Sequence, residues 1–286
     1  MSNKLRKMTL EKKHNLTGWA FLAPATFLIA VFSFWPMIKA LVLSFQTGKG
    51  RNMQMAGFTN YIRMFQDDVF IQSIKNTFFY FILQVPIMLV VALVLACILN
   101  KKDLRFKGFF RTMIFVPCTT SLVAYSIIFR SLFANNGLVN YVLVNIGILD
   151  KPYNFLTQPF AAKMVILLGL LWRWTGYNMV FFLSGLQNIE YSVYEAAKID
   201  GASAIQTFFK ITVPLLKPTI LLTAIMSTNG TLQLFDESVN LTDGGPANAS
   251  ISMSHYIYNL CFKYVPNFGY AAAMSFFILL LVAVLA

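Results

Sequence analysis

The sequence predicts an all-α integral membrane fold with six transmembrane helices. Three observations predict it. The chain is 57% hydrophobic and only 12% charged over 286 residues, with a mean hydropathy of +0.64; soluble domains carry roughly 25% charged residues. Apolar runs recur at the length of about 20 residues that a helix needs to cross a hydrocarbon core about 30 Å thick. Lys and Arg gather in alternate connections between those runs, as cytoplasmic loops require.

The first run covers 19–45, WAFLAPATFLIAVFSFWPMIKALVLSF, after a basic tail at 1–17. It is too long for the apolar part of a secretory leader and has no small-residue cleavage site, so it reads as a retained span. The others cover 76–99, 109–133, 161–186, 218–241 and 268–286, which makes 18–286 one transmembrane domain. The fifth is more polar than the rest. Inside a bilayer each segment must satisfy its own backbone, so helices are the default. Barrel strands would need short alternating segments, which are absent. Pro24, Pro36, Pro86 and Pro117 read as tolerated kinks.

Charge sets the orientation. Lys4, Arg6, Lys7, Lys12 and Lys13 precede the first span. Lys101, Lys102, Arg105, Lys107 and Arg111 lie between the second and third, and Lys198, Lys210 and Lys217 between the fourth and fifth. The opposite loops carry only Lys49, Arg51, Arg63, Lys75, Lys151 and Lys263. The N-terminus is therefore expected in the cytoplasm. The net charge of +12 is accounted for by topology and anionic lipid rather than by nucleic acid. Cys97, Cys118 and Cys261 show no metal or redox spacing and read as small buried residues.

The loop at 187–217 then lies inside the cell. Its pattern is that of two short helices. The first runs from about Glu190 to Asp200 and stops at Gly201, a C-cap residue. The second opens at Ser203 with Gln206 three residues on, a capping-box pattern, and ends before Pro214. Val193, Ala196, Ala197, Ile205, Phe208 and Phe209 leave one face uncovered, and the paired alanines invite close approach. Such a face either lies on lipid or docks a protein. Glu190, Glu195 and Asp200 against Lys198 and Lys210 suit anionic headgroups poorly and favour a protein.

The stretch EAAKIDGASAIQTFFKITVP resembles the EAA loop of permease subunits of bacterial ABC importers. Glu195, Ala196, Ala197, Gly201, Ile211 and Pro214 fit the motif, and Val213 departs from it conservatively. GFTNYIRMF, GFFRTMIFVP, WRWTGYNMVFFLSGLQNIEYSVYEAA and LTDGGPANAS resemble further stretches of the sugar-importer branch, so the likeness runs from about residue 18 to the end. It implies the type I importer permease fold, with a cytoplasmic coupling-helix loop, in a bacterial inner membrane. It implies a second homologous permease subunit, two ATPase subunits and an extracytoplasmic sugar-binding protein as partners. Glu195 would pair with a basic group of the ATPase, Ala196 and Ala197 would allow close packing, Gly201 would make the turn between the two short helices, and Asp200 would belong to the same ATPase-coupling set. A short basic tail would follow Ala286. This chain has no phosphate-binding G-x-x-x-x-G-K-[ST] loop. It is therefore not expected to be an enzyme or to hold a cofactor; ATP and Mg would sit on the partner.

Polar groups inside spans face the bundle interior or a water-filled cavity. The fifth span carries Asn229, Gln233, Asp236 and Glu237 at helical spacing, beside Gly230. The fourth carries Trp172, Arg173, Trp174, Tyr177 and Asn178. Aromatic faces with amides and carboxylates suit a sugar. The alternatives are that both tryptophans only pack and that Arg173 only pairs with Asp236 or Glu237. Gly244, Gly245 and Pro246 form an outer turn, either a plain reversal or a contact for the binding protein. A secondary transporter or channel subunit remains the other functional class. A membrane enzyme is disfavoured, because His14 and His255 have no catalytic partners in sequence.

Overall fold

The computed structural model describes residues 10–49, 52–101 and 103–285. Lys4, Arg6, Lys7, Arg51, Lys102 and Ala286 lie outside the described residues. The chain opens on α1 (Leu10–Ile29), which passes through one π turn at Ala30–Phe34 into α2 (Trp35–Ser44). The wide turn falls just before Pro36, whose missing N–H prevents a regular ladder. Along this helix Trp19, Phe21, Phe32 and Trp35 stand exposed on the chain's surface.

An antiparallel hairpin follows, β1 (Gln46–Lys49) against β2 (Asn52–Met55), then α3 (Thr59–Met64). The all-helical expectation gains this two-stranded ribbon. Asn60 anchors it, donating to the carbonyls of Ser44 at 2.9 Å and Gln46 at 2.8 Å.

Next come α4 (Asp68–Asn100), α5 (Lys107–Thr119), α6 (Leu122–Leu132), α7 (Leu138–Asn145) and α8 (Pro159–Gln187). The third apolar run, expected as one span over 109–133, is instead broken: α5 and α6 meet at 98°. Pro117 starts the break, and its carbonyl accepts from the Thr120 hydroxyl at 2.7 Å, while Thr119 caps Val116 at 2.8 Å. Hydroxyls thus satisfy backbone groups that the break frees, as irregular backbone within an apolar span requires. Gly176 of α8 lets α5 approach closely. A Cβ there would stand 1.9 Å from the Ile114 carbonyl oxygen.

The chain closes with α9 (Tyr191–Ile199), α10 (Ala204–Thr207), α11 (Val213–Leu215), α12 (Lys217–Leu232), α13 (Met253–Tyr258) and α14 (Phe268–Leu285). The segment Ala204–Leu215 bends 69° into α12 at Leu216, which Pro214 and Pro218 flank. By length and composition the described residues hold four membrane-crossing helices, or six if each bent pair counts as one.

Three apolar clusters build the core. One joins α3, α4, α13 and α14 through Phe70, Met253, Tyr256 and Met274. A second, at the other end of α4 and α8, contains Ala92, Ala96, Phe182, Leu186 and Leu216. A third gathers Tyr80, Tyr125, Phe129, Ile166 and Leu234.

Candidate functional site

Between α4, α8 and α12 lies a cavity of about 410 Å³. Its polar wall is a hydrogen-bonded layer. Thr231 donates to the Gln84 side-chain oxygen and to the Ser227 carbonyl at 2.9 Å. Ser227 donates to the Asn178 side-chain oxygen at 3.3 Å, and Asn178 donates to the Trp174 carbonyl at 3.1 Å. A glutamine, an asparagine and two hydroxyls from three helices therefore share one layer, with Met88, Tyr177 and Trp174 as its apolar complement.

Arg173, Trp174, Asn178, Gln233, Asp236 and Glu237 all line this cavity, as the sequence suggests. Trp172 does not. Neighbours two apart on a helix differ by ~200° in direction, so Trp172 and Trp174 cannot share a face. Trp172 instead stacks on Tyr125, with ring centroids 5.8 Å apart and planes 11° apart. Asn229 also lies off the cavity and is exposed, accepting a hydrogen bond from Gln233. The single helical face expected for Asn229, Gln233, Asp236 and Glu237 is not formed, because α12 ends at Leu232. Gln233 to Phe235 are non-helical, and Ser252 donates to the released Leu234 carbonyl. Beyond the end of α12 the cavity lining is continued by an irregular segment rather than by the same helix face.

Arg173 is 7% exposed and Glu237 is 4% exposed. They feel each other's charge but make no direct ion pair; the ion pairs among the described residues involve Asp243 with Lys263 and His255. The guanidinium lies instead over the rings of Trp174, at 5.4 Å, and Tyr125, at 5.6 Å. Sequence reasoning missed Gln84, Ser227 and Thr231. Gln84 carried a signal, being an amide in the middle of an otherwise apolar span.

The loop after α8 forms the two short helices expected. Gly201 adopts φ +77°, and the Ala202 N–H reaches back to the Ala197 carbonyl at 2.9 Å. A left-handed residue and this return bond are how a helix ends at glycine. Ser203 and Gln206 close a capping box, with contacts of 2.8 and 3.3 Å. The second helix then runs through a π turn at Phe208–Thr212. Glu195, Ala196, Asp200 and Gly201 are exposed, Ile211 is half-buried and Pro214 is exposed. Ala197 is buried within its own chain, so of the paired alanines only Ala196 is open to another surface. The exposed apolar crown is formed by Ile199, Ile205 and Phe209.

The turn at 242–250 is held by its own backbone and by hydrogen bonds from α4. The Gly245–Pro246 bond is cis, and Asp243, Ala247 and Asn248 all have left-handed backbone. Ser250 donates to the Gly245 carbonyl at 2.6 Å, and Asn76 of α4 donates to the carbonyls of Asn248 and Ile251. Gly244 is buried, so the open part of the turn is Asp243 and Ala247, with Gly245 and Pro246 half-buried. His255 meets Ser238 at 2.9 Å, and burial pushes its imidazole below the ordinary value against the opposing pull of Asp243. Among the described residues no cluster of His, Cys, Asp and Glu could hold a metal ion.

Comparison with known proteins gives a consistent result. The model of the family described as "Binding-protein-dependent transport system inner membrane component" matches residues 69–286. The chain is 52% identical over 281 residues to the lactose transport system permease protein LacF of Rhizobium radiobacter, covering 98% of this chain and 94% of that one. It is 31% identical over 283 residues to the arabinooligosaccharides transport system permease protein AraP of Halalkalibacterium halodurans, with 98% and 88% covered. Among solved structures it resembles a chain of a bacterial alginate ABC transporter in complex with an alginate pentasaccharide-bound periplasmic protein. The TM-score is 0.83 at 26% identity, over 96% of this chain and 92% of that one.

Proposed function

Because this chain belongs to the family of binding-protein-dependent transport system inner membrane components, we propose that it forms the membrane path for a di- or oligosaccharide in an ATP-driven importer. Membership makes it a multi-pass membrane component of a transport system rather than an enzyme, and it displaces the secondary-transporter alternative. The sugar follows from the names of its relatives and from the cavity's amides, hydroxyls and indole. Its N-terminus lies in the cytoplasm. Its partners are a second homologous permease, two ATPase subunits that bind ATP and Mg, and an extracytoplasmic binding protein that meets the outer turn.

The observation that carries this reading is the cap-locked loop at 187–217. Its apolar crown of Ile199, Ile205 and Phe209 stands exposed beside Glu195. A separate ATPase needs a rigid handle, and two short helices fixed at Gly201 and Ser203 provide one. Closing the ATPase dimer would draw two such handles together and rock the halves about a midplane site, as alternating access requires. Glu195, with Asp200 at the turn, supplies the charge that a basic cleft would meet. In membranes expressing the whole transporter, Glu195→Lys lowers ATP-driven sugar uptake about tenfold or more while membrane insertion is unchanged. Normal uptake would reject the assignment.

A further inference from the structure

The hydrogen-bonded layer of the cavity ends on a sulfur. Gln84 Nε2 donates to Met88 Sδ at 3.4 Å along α4, and Asn178 Nδ2 of α8 donates to the same sulfur at 3.5 Å. All three side chains line the cavity, and all three are more than nine-tenths buried. A thioether is a weak acceptor. Two buried amides from different helices therefore converge on a poor partner, where buried donors normally find oxygen.

The other end of each amide is held. The Gln84 oxygen accepts from Thr231 and the Asn178 oxygen from Ser227, both on α12. Asn178 Nδ2 also donates to the Trp174 carbonyl at 3.1 Å. With these groups fixed, the two amide nitrogens are set around one acceptor position before any ligand arrives, and such preorganisation lowers the cost of binding. A sugar hydroxyl oxygen has two lone pairs and can accept from both amides. Methionine is unbranched and has three rotatable side-chain bonds, so its sulfur can leave that position without a backbone shift.

We propose that Met88 Sδ holds the place of a substrate oxygen, so that an entering sugar hydroxyl displaces the thioether and takes both amide hydrogen bonds. The proposal deepens the sugar-path reading above and rests on it. Gln84 and Asn178 are then the substrate contacts. Met88 is an affinity-setting residue, because its sulfur competes with the sugar for them. Removing the sulfur while keeping its bulk leaves the amides of the empty cavity without an acceptor and the filled cavity unchanged. Binding then tightens, because the cost of unmade buried hydrogen bonds falls on the empty state alone.

The test uses the assembled membrane complex in nanodiscs, without the binding protein. Equilibrium binding of lactose and of arabinotriose is measured, and the tighter of the two is followed. Met88→Leu, a volume-conserving change, tightens binding about fivefold, whereas Met88→Gln, whose carbonyl is the stronger acceptor, weakens it about fivefold. Binding that is unchanged or weaker in Met88→Leu, or tighter in Met88→Gln, overturns the proposal while leaving the sugar path standing. If neither sugar binds saturably to the unaltered complex, the sugar-path reading itself falls, and this one with it. Should Met88→Leu fail to assemble, Met88→Ile, which also lacks an acceptor, must tighten binding, and failure to do so overturns the proposal.

Discussion

Asp67 shows how much one side chain can hold in this molecule. One carboxylate oxygen caps α4, accepting from the Val69 and Phe70 N–H groups at 2.9 and 3.1 Å. The other accepts from the hydroxyls of Tyr256 on α13 and Tyr270 on α14, both at 2.7 Å. Burial alone would raise its pKa, but the four hydrogen bonds outweigh burial and hold the carboxyl below its ordinary value. A carboxyl so lowered stabilises the fold at pH values above its unfolded pKa of about 4, and that contribution fades as acid protonates the native group. Through the lost cap and tyrosine hydrogen bonds alone, Asp67→Ala costs about 2 kcal/mol near neutral pH. The gap in thermal midpoint between the variant and the unaltered protein narrows as the buffer is taken from pH 7 toward pH 3. A gap that stays constant would mean the carboxylate charge contributes nothing. The tyrosine contacts were not legible in the sequence, because Asp67 meets these partners only after nearly two hundred residues of intervening chain have folded.

At the scale of elements, the long apolar runs were legible and their interruptions were not. Hydrophobic length marks where a helix is affordable in lipid, but a break depends on whether distant groups can satisfy the freed backbone. Thr119 and Thr120 do so locally between α5 and α6; Ser252 does so from far along the chain after α12. Asn229 sits within α12 on a face away from the cavity, and the break after Leu232 brings Asp236 and Glu237 onto the cavity by an irregular path. The loop at 187–217 was legible because its caps are local: a glycine stop and a Ser-x-x-Gln box need no distant partner. The α5–α8 crossing gives a sharp check. Gly176→Ala places a methyl against the Ile114 carbonyl and costs about 1–3 kcal/mol, seen as a lower thermal midpoint of the purified protein. Gly230→Ala, where a Cβ meets nothing within 4 Å, leaves the midpoint unchanged or raises it.

The whole molecule separates its tasks along one axis. A network around Asp67, Asn76 and the turn at 242–250 ties α4, α13 and α14 together. A polar cavity lies between the three central helices. The capped loop stands beyond the apolar cluster that holds Phe182, Leu186 and Leu216. The loop joins α8 to α12, two of the three helices that carry the cavity wall. The central claim is that a separate ATPase grips that loop from inside the cell. A photoreactive residue at Ile199, 85% exposed on the crown, tests it most directly in native membranes that hold the complete transporter. The account predicts an adduct with the ATPase polypeptide that is lost in the Glu195→Lys variant; adducts with phospholipid alone would contradict it.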